Sequence, residues 1–159
     1  MKPLTQEWVD KAKDDYKVTK ILLDLGVDAY DIVCFHAQQC VEKYLKAWLT
    51  EQDVDFPRTH DLELLAKLAV PTLAELQRFL DELRLLTSFA IEVRYSGTSA
   101  TRVDADAVSK RPTRCAAYSV EVGYERSGGT GLKPGLGPWG LTYPPFPQCE
   151  WLMRGAATP

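Results

Sequence analysis

Residues 34–49, Cys34-Phe-His-Ala-Gln-Gln-Cys-Val-Glu-Lys-Tyr-Leu-Lys-Ala-Trp-Leu49, decide the fold. In the wider span from Ala29 to Thr50, the residues Val33, Ala37, Cys40, Val41, Tyr44, Leu45, Trp48 and Leu49 return at steps of three and four. That is the period of an α-helix with one apolar face. His36, Gln39, Lys43 and Lys46 run beside the stripe at the same spacing, so they share a second, polar face. One helix of about six turns thus buries one side and offers donors and cations on another. Its length and its stripe put it at the centre of a bundle.

The neighbouring segments keep the same period. From Thr5 to Leu25, Trp8, Ala12, Tyr16, Thr19, Leu22 and Leu23 mark a first helix that ends at Gly26. After the central helix, Phe56 to Asp61 reads as a turn. Thr59 there is placed to cap a short helix from Asp61 to Ala69, with Asp61 favouring the positive end of its dipole and Pro71 ending it. Thr72 and Glu75 have capping-box spacing, and Leu73, Leu76, Leu80, Leu83, Thr87 and Ala90 behind them predict one long helix reaching toward Arg94. Val103 to Val108 could begin a fifth, which Pro112 would interrupt. The expected fold is all-α: an up-and-down bundle of four to five antiparallel helices over residues 1–110, followed by an irregular or disordered Gly/Pro-rich tail over residues 111–159. Gly123 to Pro159 holds eight of the ten glycines and six of the ten prolines, a composition that resists regular structure. Tyr143-Pro-Pro-Phe-Pro147 would suit an extended proline-rich arm; a loosely packed extension is the plainer reading.

With 159 residues, 45% of them hydrophobic, the chain is sized for one domain with an ordinary core. A net charge of −3 is too mild to draw the whole molecule to nucleic acid or to an anionic bilayer, so any anion site must be local. No apolar run approaches the roughly 20 residues of a membrane span, and Met1 to Trp8 lacks a signal-type apolar segment; a cytoplasmic protein without membrane attachment is expected. The four cysteines, Cys34, Cys40, Cys115 and Cys149, are too scattered for a disulfide framework or a zinc site, and no metal or other cofactor is expected. Buried free thiols are the better expectation. Cys34 and Cys40 lie six residues apart on one helix and point in different directions.

Phe35-His-Ala-Gln-Gln-Cys-Val-Glu-Lys-Tyr-Leu-Lys-Ala47, then Phe56-Pro-Arg-Thr-His-Asp-Leu62, then Arg94-Tyr95 closely resemble HEPN domains, the "higher eukaryotes and prokaryotes nucleotide-binding" family, over roughly Trp8 to Ala107. The resemblance implies a helical bundle that is usually a homodimer, often encoded beside a minimal nucleotidyltransferase in a toxin–antitoxin module. Many members are metal-independent ribonucleases with an Arg followed, after four to six residues, by a His. That motif is absent here. The first arginine is Arg58, His60 follows it after one residue, and His36 is the only other histidine. Cleaving RNA by attack of the 2′-hydroxyl needs a proton acceptor tuned near neutrality and a cation for the charge of the phosphorane. No catalytic residue is therefore assigned, although His60 and Arg94 could in principle meet across the bundle.

The candidate residues for nucleotide or phosphate binding are His36, Gln39, Lys43, Lys46, Arg58, His60, Arg94 and Tyr95. The α-helical face of His36, Gln39, Lys43 and Lys46 could cradle a phosphate, or it could be a solvated strip with a Glu42–Lys46 pair. Gln38 and Gln39 could instead satisfy buried groups at a seam. Arg58, Thr59, His60 and Asp61 read mainly as helix-start chemistry, with His60 packing or bonding near the central helix. Arg94-Tyr95 pairs a cation with an aromatic ring suited to stacking a base, or else neutralises the end of its helix. The expected role is a non-catalytic interaction module, homodimeric, with a nucleotidyltransferase as partner and a nucleotide or RNA as ligand. A divergent ribonuclease toxin and a ligand-free helical scaffold are the rival readings.

Overall fold

The computed structural model describes residues 1–110 apart from positions 94 and 96, and every regular element among them is helical. α1 spans Pro3–Asp24, α2 Tyr30–Glu51, α3 Leu62–Ala69, α4 Leu80–Glu92 and α5 Arg102–Lys110, with a 3-10 helix, Ala74–Phe79, leading into α4. The expectation of an all-α bundle holds. The proline-rich arm, Cys115 and Cys149 lie outside the described residues.

α1 begins with Pro3, whose fixed φ and missing N–H suit a first helical position. It stops where Gly26 takes a left-handed φ of +63°, letting its N–H reach Leu23 O and that of Val27 reach Leu22 O. Those bonds satisfy carbonyls the helix leaves open, in a backbone geometry that costs glycine nothing. α2 runs back antiparallel. The seam is clasped at one end by Lys2, whose backbone N–H donates to Glu51 Oε2 at 2.9 Å while its ammonium donates to Thr50 O and Glu51 O at 3.0 and 2.9 Å. A cation there also favours the negative end of α2.

α2 is the centre, as its stripe foretells. Val33, Cys34, Ala37, Cys40, Val41, Leu45, Ala47 and Leu49 have no accessible surface. Fully burying a large apolar side chain is worth roughly 1.5–3 kcal/mol, against about 0.3–0.5 kcal/mol for an exposed i, i+4 ion pair. The stripe therefore fixes which way α2 faces, and the polar residues must find partners where that leaves them. The core has two parts. One joins α1, α2, α3, the 3-10 helix and α4 around Tyr44, Leu45, Trp48, Leu65 and Leu83; the other gathers Val33, Cys34, Val93, Ala100 and Ala105 where α4 and α5 meet the first half of α2. Cys34 and Cys40 are free and buried. Burial, helped by Asp104 and Asp31, pushes the Cys34 thiol up to about 12, and burial raises that of Cys40 as well.

Two local readings differ from the structure. Asp61, not Thr59, caps α3: its carboxylate accepts from Leu64 N at 3.1 Å, while the Thr59 hydroxyl accepts from Asp61 N one step earlier. The long fourth helix is two elements, because the Thr72 hydroxyl is taken by Ala69 O and by Trp48 Nε1 and does not cap the helix ahead of it. Leu73, Leu76 and Phe79 then recur at three, the period of a 3-10 helix, before α4 resumes. The fifth helix exists and carries a capping box in which Thr101 N–H and hydroxyl donate to Asp104 at 2.8 and 2.6 Å. Asp31 anchors it to α2 by accepting from Ala100 N at 2.6 Å. No helix among the described residues is long and apolar enough to cross a membrane.

Candidate functional site

The polar face of α2 is split between two carboxylates. Asp15, on α1 and only 8% exposed, accepts from His36 Nδ1 at 2.9 Å and pairs with Lys43. Asp15 is brought there by the antiparallel seam, which sets the second half of α1 against the middle of α2. Glu42, on α2 itself and 3% exposed, gathers a larger set. It accepts from Lys46 Nζ at 2.7 Å, from His60 Nδ1 at 2.9 Å, from Gln38 Nε2 at 3.0 Å and from Gln39 Nε2 at 3.4 Å. Lys46 also stands 5.5 Å over the ring of Trp8. Burial alone would raise the Glu42 carboxyl, yet the bonds from Lys46, His60 and Gln38 outweigh it and hold the group below the ordinary carboxylate range.

The sequence-predicted residues therefore fall into separate groups. His36 and Lys43 meet on Asp15; Gln39, Lys46 and His60 meet on Glu42. Each lysine is matched by a buried carboxylate, and the Glu42–Lys46 pair is itself buried at 4% and 9% side-chain exposure rather than being a solvated strip. Gln38 serves the seam in the way its burial demands, donating to Glu42 and to the backbone carbonyl of His60 at 3.2 Å. Tyr95 lies apart. It is exposed, two residues beyond Val93, which packs with Val33 and Cys34 at the far half of α2. Arg94 is outside the described residues, so its pairing with Tyr95 or with His60 is too.

The turn 56–61 is held down at two points, by Gln38 on the His60 carbonyl and by Glu42 on the His60 ring. An ionised carboxylate only accepts, so Nδ1 carries the proton and Nε2 is left as an acceptor in the neutral ring. The His60 side chain is 69% exposed above a carboxylate at 4%. Two residues before it, Arg58 is exposed and forms no ion pair among the described residues. Chemically, this turn carries, two residues apart, an exposed guanidinium without an ion pair among the described residues and an imidazole bonded to a buried carboxylate. Sequence reasoning named Arg58 and His60 and paired Glu42 with Lys46, but it missed Asp15 and the contact of Glu42 with His60, because a carboxylate on an amphipathic helix looks the same whether solvent or a folded neighbour meets it. The one available signal was Glu42 at i+4 from Gln38 and i−4 from Lys46, which is a polar line too regular for a random surface. No cluster of three or more metal-binding side chains occurs among the described residues.

The class defined by this architecture is an α-helical bundle built on one long polar-striped helix and a turn fastened to it by a buried carboxylate. The HEPN domain matches residues 5–114, well over half of the sequence. The chain belongs to the HEPN domain family. No curated protein and no solved structure matches it.

Proposed function

We propose that this HEPN protein binds the phosphate of a nucleotide or RNA at the turn of Arg58 and His60, acts without catalysis of its own, and works as a homodimer with a nucleotidyltransferase partner in a cytoplasmic toxin–antitoxin-like pair. The observation that carries the binding reading is the His60 ring, pinned through Nδ1 to buried Glu42 beside an Arg58 that nothing described neutralises. Lys43 and Lys46 are weaker anchors, since a phosphate would have to displace Asp15 or Glu42 from each. The partner and the dimer follow from what the family resemblance implies.

Thermal shift and isothermal titration with AMP, ATP and a short RNA test the reading. Binding that Arg58→Ala weakens at least tenfold, while Lys43→Ala changes it less, supports the turn as the phosphate site; a ligand-insensitive melting point across all three rejects it in favour of a plain scaffold. A divergent ribonuclease is favoured by one feature, an imidazole oriented by a carboxylate in the manner of a general base. Metal-independent cleavage of RNA that disappears in His60→Ala would replace the non-catalytic reading with that one. Co-purification with the product of an adjacent nucleotidyltransferase gene, and light scattering at twice the chain mass, test the partner and the dimer.

A further inference from the structure

We infer that α5 is a latched strap: it opens at Gly97 as a unit of its own while the rest of the bundle stays folded, and the latch is the carboxylate of Asp31. The inference is independent of the phosphate-binding reading. α5 is held by little apolar surface. Ala105 is its only fully buried apolar residue; Val108 is partly buried, and Val103 stands 76% exposed. The small core of Val33, Cys34, Val93, Ala100 and Ala105 is separate from the large one around Tyr44 and Trp48, which α5 reaches, among the described residues, only through Val108. The cost of opening an element follows the contacts it breaks, so a helix this lightly seated opens well before the whole chain does.

Polar contacts supply much of the hold. Asp31, in the first turn of α2, accepts from the backbone N–H of Ala100 at 2.6 Å, a charge-assisted bond between positions 69 apart in the chain. Arg102 adds a surface contact with the Tyr30 hydroxyl. The capping box of Thr101 with Asp104 is internal to the strap and moves with it. Just ahead, Gly97 has a φ of +112° with no atom within 4 Å of where a Cβ would stand, and Tyr95, Thr98 and Ser99 beside it are exposed. The link from α4 therefore contains a residue free to turn and little packing to resist it. What the strap covers is Cys34. That thiol has no accessible surface, lies among Val33, Val93, Ala100 and Ala105, and has Asp31 of α2 and Asp104 of α5 both near enough to act on it. Cys40, six positions on, is buried in the large core instead. The two thiols thus report different events, Cys34 the opening of the strap and Cys40 that of the bundle.

Labelling of the full chain with N-ethylmaleimide under native conditions tests the strap, read peptide by peptide in a mass spectrometer so that Cys115 and Cys149 are counted separately. Cys34 is expected to react about a hundredfold faster than Cys40, and the amides of α5 to exchange with deuterium faster than those of α2 around Tyr44. Asp31→Ala speeds the labelling of Cys34 about tenfold or more, the loss of one hydrogen bond to a charged group, and leaves Cys40 unchanged. Equal labelling of Cys34 and Cys40 means that both wait for the bundle to unfold, and it overturns the strap. Rapid exchange of the α5 amides over an unreactive Cys34 overturns it too, since α5 would then fray without uncovering anything. Fast labelling of Cys34 that Asp31→Ala does not alter overturns the assignment of the latch.

Discussion

Glu42 is the residue on which the site depends, and its carboxylate is held in a place it could occupy only as part of a network. A buried charge without partners costs several kcal/mol, and here Lys46, His60, Gln38 and Gln39 together offset that cost. Truncating it strands the Lys46 ammonium at 9% exposure and frees the His60 ring. Glu42→Ala should therefore lower stability by about 3–5 kcal/mol in urea denaturation; a loss under about 1 kcal/mol would show that Lys46 reaches water on its own. By contrast, Gln39→Ala removes the longest of the four bonds, at 3.4 Å, and should fall within the small range of surface changes. Glu42 was legible as the i, i+4 partner of Lys46. Its reach to His60 was not, since His60 lies eighteen positions further on, across a turn, and no local pattern encodes where that turn docks.

Among the elements, the junction from α2 to α3 couples fold and site. Asp61 starts α3 by capping Leu64 N, and in doing so sets where the turn bearing Arg58 and His60 ends. The backbone N–H of Leu62 meets the Thr87 hydroxyl of α4 at 3.1 Å, and Glu63 of α3 is gripped by both nitrogens of the Arg84 fork at 2.7 and 2.9 Å. Asp61→Ala should cost about 1 kcal/mol, and Thr59→Ala distinctly less, because Thr59 bonds a backbone N–H just ahead of the helix; equal costs in chemical denaturation would return the cap to Thr59. The sequence pattern named this helix to within a residue. It placed α4 less well, because Leu73, Leu76, Leu80 and Leu83 follow the α-helical spacing while Leu73, Leu76 and Phe79 recur at three, and the 3-10 form is the one seen where Trp48 from α2 holds the Thr72 side chain. That bond spans 24 residues and is invisible in a local window.

At the scale of the molecule, the carboxylates tie stability to pH. Hydrogen bonds from Arg84 and Lys67 hold the Glu63 carboxyl down to about 2 from 4.5, and the network around Glu42 lowers that group too. A carboxyl depressed by folding lends stability in full above its unfolded value, and loses it as pH falls through the folded one. The melting temperature should thus be insensitive to these groups above about pH 5 and fall between about pH 4.5 and 2; Arg84→Ala should flatten the part of that fall owed to Glu63, measured by scanning calorimetry across pH. The remaining question of scale is what the chain itself dictated. Periodicity, glycine at a left-handed turn and helix-start residues are local physics, and they determined the helices, their order, their antiparallel return and the face α2 buries. Which cations stay free is a different kind of fact. It depends on which carboxylates packing brings near, Asp15 across the α1–α2 seam and Glu42 beneath the turn, and neither the Asp15 contact with Lys43 nor the Glu42 contact with His60 is written in spacing along the sequence. Tertiary packing alone matched Lys43 with Asp15, buried the local Glu42–Lys46 pair and left Arg58 exposed, because burial and contacts between elements are decided by distance in space and desolvation, while helix formation is decided by neighbours along the chain.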